Sequence, residues 1–167
     1  MTEYYTKLTF NEKDTALYGR LDVAARDLYE TIDYGNFIMK KGWKATPWSR
    51  GKVYLQQSAF VTSMLVSYGR AFSHSAGWGR IPAEFLSLYD QEETLLHQKV
   101  ISQRNQLYAH SDSIYYPVIP IRSEFSTDVT RYHLKEVPYA DIKKLQTMCW
   151  KIINRCKEEQ NDIKLRY

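Results

Sequence analysis

The segment from Gln91 to His110 reads QEETLLHQKVISQRNQLYAH, and it decides the fold class more than any other stretch of the chain. Asp90 stands before it as an N-cap, Glu92 and Glu93 fall in its first turn, and Leu96, Val100 and Leu107 recur along one side. Carboxylates near a helix start complement the backbone dipole, and apolar residues at helical spacing form one stripe to bury. An amphipathic helix is therefore predicted, ending near Ser111 and Asp112.

Outward from this helix the same periodicity returns. Upstream, Pro82 occupies a position where a first-turn proline is tolerated, so IPAEFLSLYD is predicted to be a short helix. The glycine-bearing break SHSAGWGR separates it from a helix predicted over about Ser49 to Ser73, with Val53, Phe60, Val61, Met64, Leu65, Tyr68 and Phe72 facing inward. Before the loop GWKATPWSRG, a first helix is expected from an Asn11 cap to about Lys41, carrying Leu17, Leu21, Ala24, Ala25, Leu28, Tyr29 and Ile32.

Downstream, residues 114–137 turn rich in β-branched and aromatic types but are broken by Pro117 and Pro120, which suits an irregular excursion with a short hairpin. A last helix is predicted from Pro138 or Tyr139, with Ile142, Leu145, Met148, Cys149, Ile152 and Ile153 inward. The expected fold is all-α: an antiparallel helical bundle of four to five helices, with a short irregular or hairpin excursion before the last helix, forming a single domain over 1–167.

Composition sets the outer limits. A length of 167 residues suits one domain with a real core, and 44% hydrophobic against 25% charged residues favours neither disorder nor a membrane class. The net charge of +4 permits a polyanionic partner without requiring one. The N-terminus MTEYYTKLTF lacks a secretory pattern, and no run of about 18 apolar residues occurs, so a cytoplasmic protein without membrane association is expected. Cys149 and Cys156 lie seven residues apart in a helical pattern, about 10 Å along the axis, so both are expected to be reduced.

Chemistry concentrates at the end of the opening segment, in RNQLYAHSD, Arg104 to Asp112. An ordinary structural account exists: Arg104 is a surface cation, His110 favours the helix C-terminus, and Ser111 and Asp112 begin a turn. The functional account is a phosphodiester site, where a guanidinium neutralises developing phosphorane charge and an imidazole moves a proton. RNA brings its own nucleophile, the 2′-hydroxyl, so neither a serine nor a cofactor is demanded.

In one ideal helix, His110 would point about 120° away from Arg104 and sit roughly 9 Å further along. Convergence therefore needs either a break near Tyr108 or two copies of the segment meeting across a two-fold axis, and the homodimer is the preferred expectation.

These residues resemble the Arg, polar, spacer, His signature of HEPN domains: RNQLYAH supplies Arg104, Asn105 and His110, and AHSD (Ala109 to Asp112) and YGRAF (Tyr68 to Phe72) resemble segments of bacterial HEPN-like proteins. The resemblance implies a dimerising helical bundle, often a metal-independent ribonuclease in toxin or antiphage systems. It assigns Arg104, His110 and Asn105 as catalytic; Arg70, His97, Tyr108 and Asp112 are the expected substrate-binding residues beside them, and RNA and an antitoxin or other protein are the expected partners. Its alternative is a non-catalytic module that dimerises or binds a nucleotide or protein.

Other constellations compete. His97 lies seven residues before Arg104 on nearly the same face, where it is either part of a proton-handling stripe or a half-buried polar residue with a partner. Arg70 could reach the phosphate or pair structurally with a carboxylate such as Glu93. His74, His97, His133, Cys149 and Cys156 lack zinc-ligand spacing, so no metal is expected. Trp43, Trp48, Lys44, Arg50 and Lys52 form either a base-stacking loop or a loop packed on the bundle. Arg122, Arg131 and His133 receive no role.

Overall fold

The computed structural model describes residues 7–44, 52–105 and 137–167, together with the backbone of 118–120 and 128–130. Helix α1 spans Glu12–Lys41 and shows both expected ends. The Asn11 side chain accepts the amide of Asp14 at 2.8 Å, and Gly42 closes the helix at φ 62°, a left-handed conformation open to glycine at little cost. Helix α2 spans Lys52–Phe72, α3 spans Gln91–Gln103 and α4 spans Tyr139–Lys164. Strands β1 (Val118–Pro120) and β2 (Asp128–Thr130) pair antiparallel, in register Ile119 with Val129. The all-α bundle with a small hairpin before the last helix is thus the architecture found.

Helix α1 is the centre of the bundle, running opposite to α2 on one side and to α4 on the other. The first pairing is read from Glu30 beside Ser67 and Phe37 stacked on Phe60, the second from Gln146 donating to the Ile32 carbonyl. Helix α3 closes the ring against α2 and α4. The core is the apolar stripe of each helix: Leu21, Leu28 and Ile38 from α1, Met64, Leu65 and Tyr68 from α2, Val100 from α3, and Ile142, Met148 and Ile152 from α4. Val53, expected inward, is instead 47% exposed, because α2 begins beyond the edge of that stripe. No helix among the described residues is long and apolar enough to cross a membrane.

Two details position the site. The segment after Pro82 forms a short 3₁₀ helix, Ala83–Leu88, which lacks a side-chain cap and buries only Phe85. Helix α3 starts with a full capping box, in which Asp90 accepts the Glu93 amide and Glu93 accepts the Asp90 amide. Lys151 of α4 pairs with the same Glu93 carboxylate at 2.7 Å. At the other end α3 leaves α geometry at Arg104 and Asn105, where the backbone enters a wider π-type turn.

Candidate functional site

The five residues Tyr68 to Phe72 end α2 and join it to α1 and α3. At Gly69 the missing side chain matters: a Cβ there would stand 2.9 Å from Cγ and 3.2 Å from Cδ of Arg104, so the stem of Arg104 lies directly on the α2 backbone. From this seat Nη1 of Arg104 donates to the Asn105 side-chain oxygen at 2.9 Å. Arg104 and Asn105 are thus joined, with the stem of Arg104 held against α2 where a side chain is absent.

Tyr68 is fully buried, and its hydroxyl lies 2.9 Å from Nδ1 of His97 and 3.3 Å from the Tyr89 hydroxyl. Burial pushes both tyrosines well above their ordinary pKa, so both remain protonated donors. With Tyr89 donating to Tyr68 and Tyr68 to Nδ1, the proton of a neutral His97 is assigned to Nε2. Burial also lowers the pKa of His97, which favours that neutral form. Phe72 meets the same imidazole edge-on at a centroid distance of 4.7 Å. Of the two expectations for His97, the hydrogen-bonded one describes its buried side; its ring also lines a cleft.

Arg70 turns away from Glu93. Its Nε donates to Asp27 at 3.0 Å and its Nη2 to Glu30 at 2.6 Å, both on α1, while Glu93 is engaged by its own cap and by Lys151. Burial raises the pKa of Asp27 despite the Arg70 cation beside it. Arg20, which no sequence pattern singles out, is 1% exposed, and its Nη2 donates to the carbonyls of Arg70, Ala71 and Ser73. Those carbonyls close the C-terminal end of α2, where the helix dipole also favours a cation.

Between α2, α3 and the segment leading to the 3₁₀ helix lies a cleft of about 410 Å³. Arg104, Asn105, His97, His74 and Arg80 line it on the polar side, and among the described residues no carboxylate does so. Arg80 is placed by a tight loop in which Ser75 and Gly79 exchange backbone hydrogen bonds of 2.7 and 2.8 Å, and Gly79 adopts φ 74°. On the far side of Arg104 a shallower depression of about 320 Å³ is lined by Arg20, Asp27, Arg70 and Ser73. Arg104 borders both.

The structure thus brings Arg104, Asn105 and His97 to one cleft and leaves Arg70 beside it, bound to carboxylates. Tyr108, His110 and Asp112 lie outside the described residues, as do Trp48, Arg50, Arg122, Arg131 and His133. Trp43 packs edge-on against Phe37 and Phe60, in keeping with a loop held on the bundle. Arg80 went unnoticed in the sequence, and His74 was weighed only as a metal ligand, because both sit in a loop with no periodicity; glycine spacing around Arg80 was the only available signal.

Cys149 and Cys156 are free and buried on α4. Among the described residues, no three His, Cys, Asp or Glu side chains converge as a metal site would need. Compared with protein-family models, curated proteins and solved structures, the chain matches none.

Proposed function

We propose that this protein is a HEPN-like, metal-independent endoribonuclease acting in the cytoplasm as a homodimer, in a toxin or antiphage setting with an antitoxin or similar protein partner. The observation that carries the proposal is the seat of Arg104, its stem on Gly69 and its side chain at a cleft bordered by His97 and, among the described residues, by no carboxylate. A guanidinium so placed offers paired N–H groups to a phosphodiester, and it forms no ion pair with a carboxylate among the described residues.

In the proposed reaction an imidazole takes the proton of the 2′-hydroxyl, whose oxygen attacks phosphorus. Arg104 balances the charge gathering on the phosphoryl oxygens, and the 5′-oxygen leaves with a proton from a second imidazole. The products are a 2′,3′-cyclic phosphate and a 5′-hydroxyl, so atoms and protons balance without a further reactant. His110 is the proposed proton carrier, contributed from each protomer, and Asn105 orients the guanidinium to which it is bonded. Arg70, His97, Tyr108 and Asp112 are the proposed contacts to the RNA around that centre.

The test is incubation of labelled RNA in EDTA with the wild-type protein and with Arg104→Ala and His110→Ala. Cleavage by wild type alone supports the proposal. Absence of wild-type cleavage, or equal cleavage by both variants, sinks it and favours a non-catalytic binding module. Light scattering checks the dimer separately; a strict monomer would contradict a site shared between protomers.

A further inference from the structure

Of the arginines among the described residues, Arg26, Arg70, Arg155 and Arg166 pair with carboxylates, and Arg20 with backbone carbonyls. Arg80 and Arg104 alone, among the described residues, have neither kind of partner, and both border the same cleft. Two uncompensated guanidiniums at one concavity repel one another until an anion stands between them. The rest of its lining includes apolar Ile81, Leu86, Ile101 and Phe72. Leu86 is 36% exposed there, an apolar surface without a covering group among the described residues. The volume of about 410 Å³ falls in the range of about 300–1,000 Å³ typical of small-ligand sites.

We infer that this cleft is a subsite for one nucleotide of single-stranded RNA, its phosphate bridged by Arg80 and Arg104 and its base laid on the wall of Ile81, Leu86 and Ile101. The inference rests on the reading of Arg104 as a phosphate-binding group and adds Arg80 and the apolar wall to it. A flat base covers apolar surface and is tolerated whatever its identity, while guanidiniums recognise the phosphate in bidentate fashion. Neutral His97, with Nδ1 engaged by Tyr68, has Nε2–H left to donate to a phosphate or ribose oxygen. The phosphate is thereby offered donors by Arg80, Arg104 and His97, all supplied within one protomer.

The experiment titrates isotope-labelled protein with adenosine 3′-monophosphate, with inorganic phosphate and with adenosine, following backbone amides by NMR. The nucleotide should shift Gly69, Ser73, Arg80 and Ile101 together and bind more tightly than either fragment. Arg80→Ala, at an exposed position, should weaken nucleotide and phosphate binding by about tenfold or more. Leu86→Ala should weaken the nucleotide and leave phosphate unchanged.

Nucleotide that leaves those amides unmoved, or that binds Arg80→Ala as it binds wild type, overturns the inference. So does phosphate binding as tightly as the nucleotide, which would mark a simple anion site. Nucleotide binding that depends on Arg80, without RNA cleavage by wild type, would end the ribonuclease reading and keep the subsite. Wild-type cleavage unchanged by Arg80→Ala would do the reverse.

Discussion

Gly69 and Arg104 are in direct contact through the stem of the arginine, with no room for a single added carbon between them. This contact explains why a glycine stands inside α2, where it weakens the helix by about 1 kcal/mol relative to alanine. Gly69→Ala should therefore leave the fold intact, its helix propensity gain offsetting most of the local crowding, while pushing Arg104 from its seat. The expected outcome is thermal stability within about 1 kcal/mol of wild type and RNA binding and cleavage clearly reduced. Unchanged activity in a stable Gly69→Ala protein would show that the seat does not matter.

Arg20 holds the end of the helix that carries this seat. Arg20→Met keeps much of the volume but leaves the carbonyls of Arg70, Ala71 and Ser73 without their buried donor. A loss of about 3 kcal/mol is expected in chemical denaturation. A loss below about 1 kcal/mol would mean that water replaces the guanidinium freely.

The pH dependence of stability should carry the signature of His97. Burial lowers its pKa below the ordinary 6.5, so in the window just under that value the unfolded chain binds a proton that the folded chain refuses. Stability from this group is present above pH 6.5 and is lost as pH falls through the lower folded value. Asp27, raised above its ordinary 3.8, acts oppositely and at more acidic pH, losing its contribution as pH rises. His97→Gln keeps an acceptor for Tyr68 and should flatten the slope of stability between about pH 7 and 5. An identical slope in the variant would contradict a buried neutral imidazole.

Both cysteines should be inert in the folded protein. They are fully buried, and burial raises both thiol pKa values, that of Cys156 to about 12. The chain has two cysteines in all, so a thiol-specific chromogenic reagent should count none in native protein and both after denaturant. Rapid native labelling of either would mean that α4 opens readily.

Much of the bundle was legible because its signals are local. Asn11 and Gly42 at the ends of α1, Asp90 and Glu93 at the start of α3, and the stripe Ile142, Leu145, Met148 and Ile152 on α4 each follow from neighbours a few residues away. The site was legible only in part. Arg104 and Asn105 stood out as polar residues at a helix end, but what they rest on is Gly69, 35 positions earlier, and no periodicity connects the two.

Arg70 was misdirected toward Glu93 because carboxylate choice depends on which helix packs alongside, and α1 supplies Asp27 and Glu30. Arg20 drew no notice for the same reason: its partners are backbone carbonyls about 50 residues away, which sequence spacing does not reveal. Arg80 depends on a loop closed by Ser75 and Gly79, and loops carry no repeating pattern to read.

The central claim is that Arg104, seated on Gly69, acts on a phosphodiester. Its most direct test is the single-turnover rate of RNA cleavage in EDTA by wild type and Arg104→Ala, with the end groups of the products identified. The expected result is a 2′,3′-cyclic phosphate and a 5′-hydroxyl from wild type, and a rate lower by about 100-fold or more in the variant. No cleavage by wild type, or equal rates for the two proteins, would contradict it.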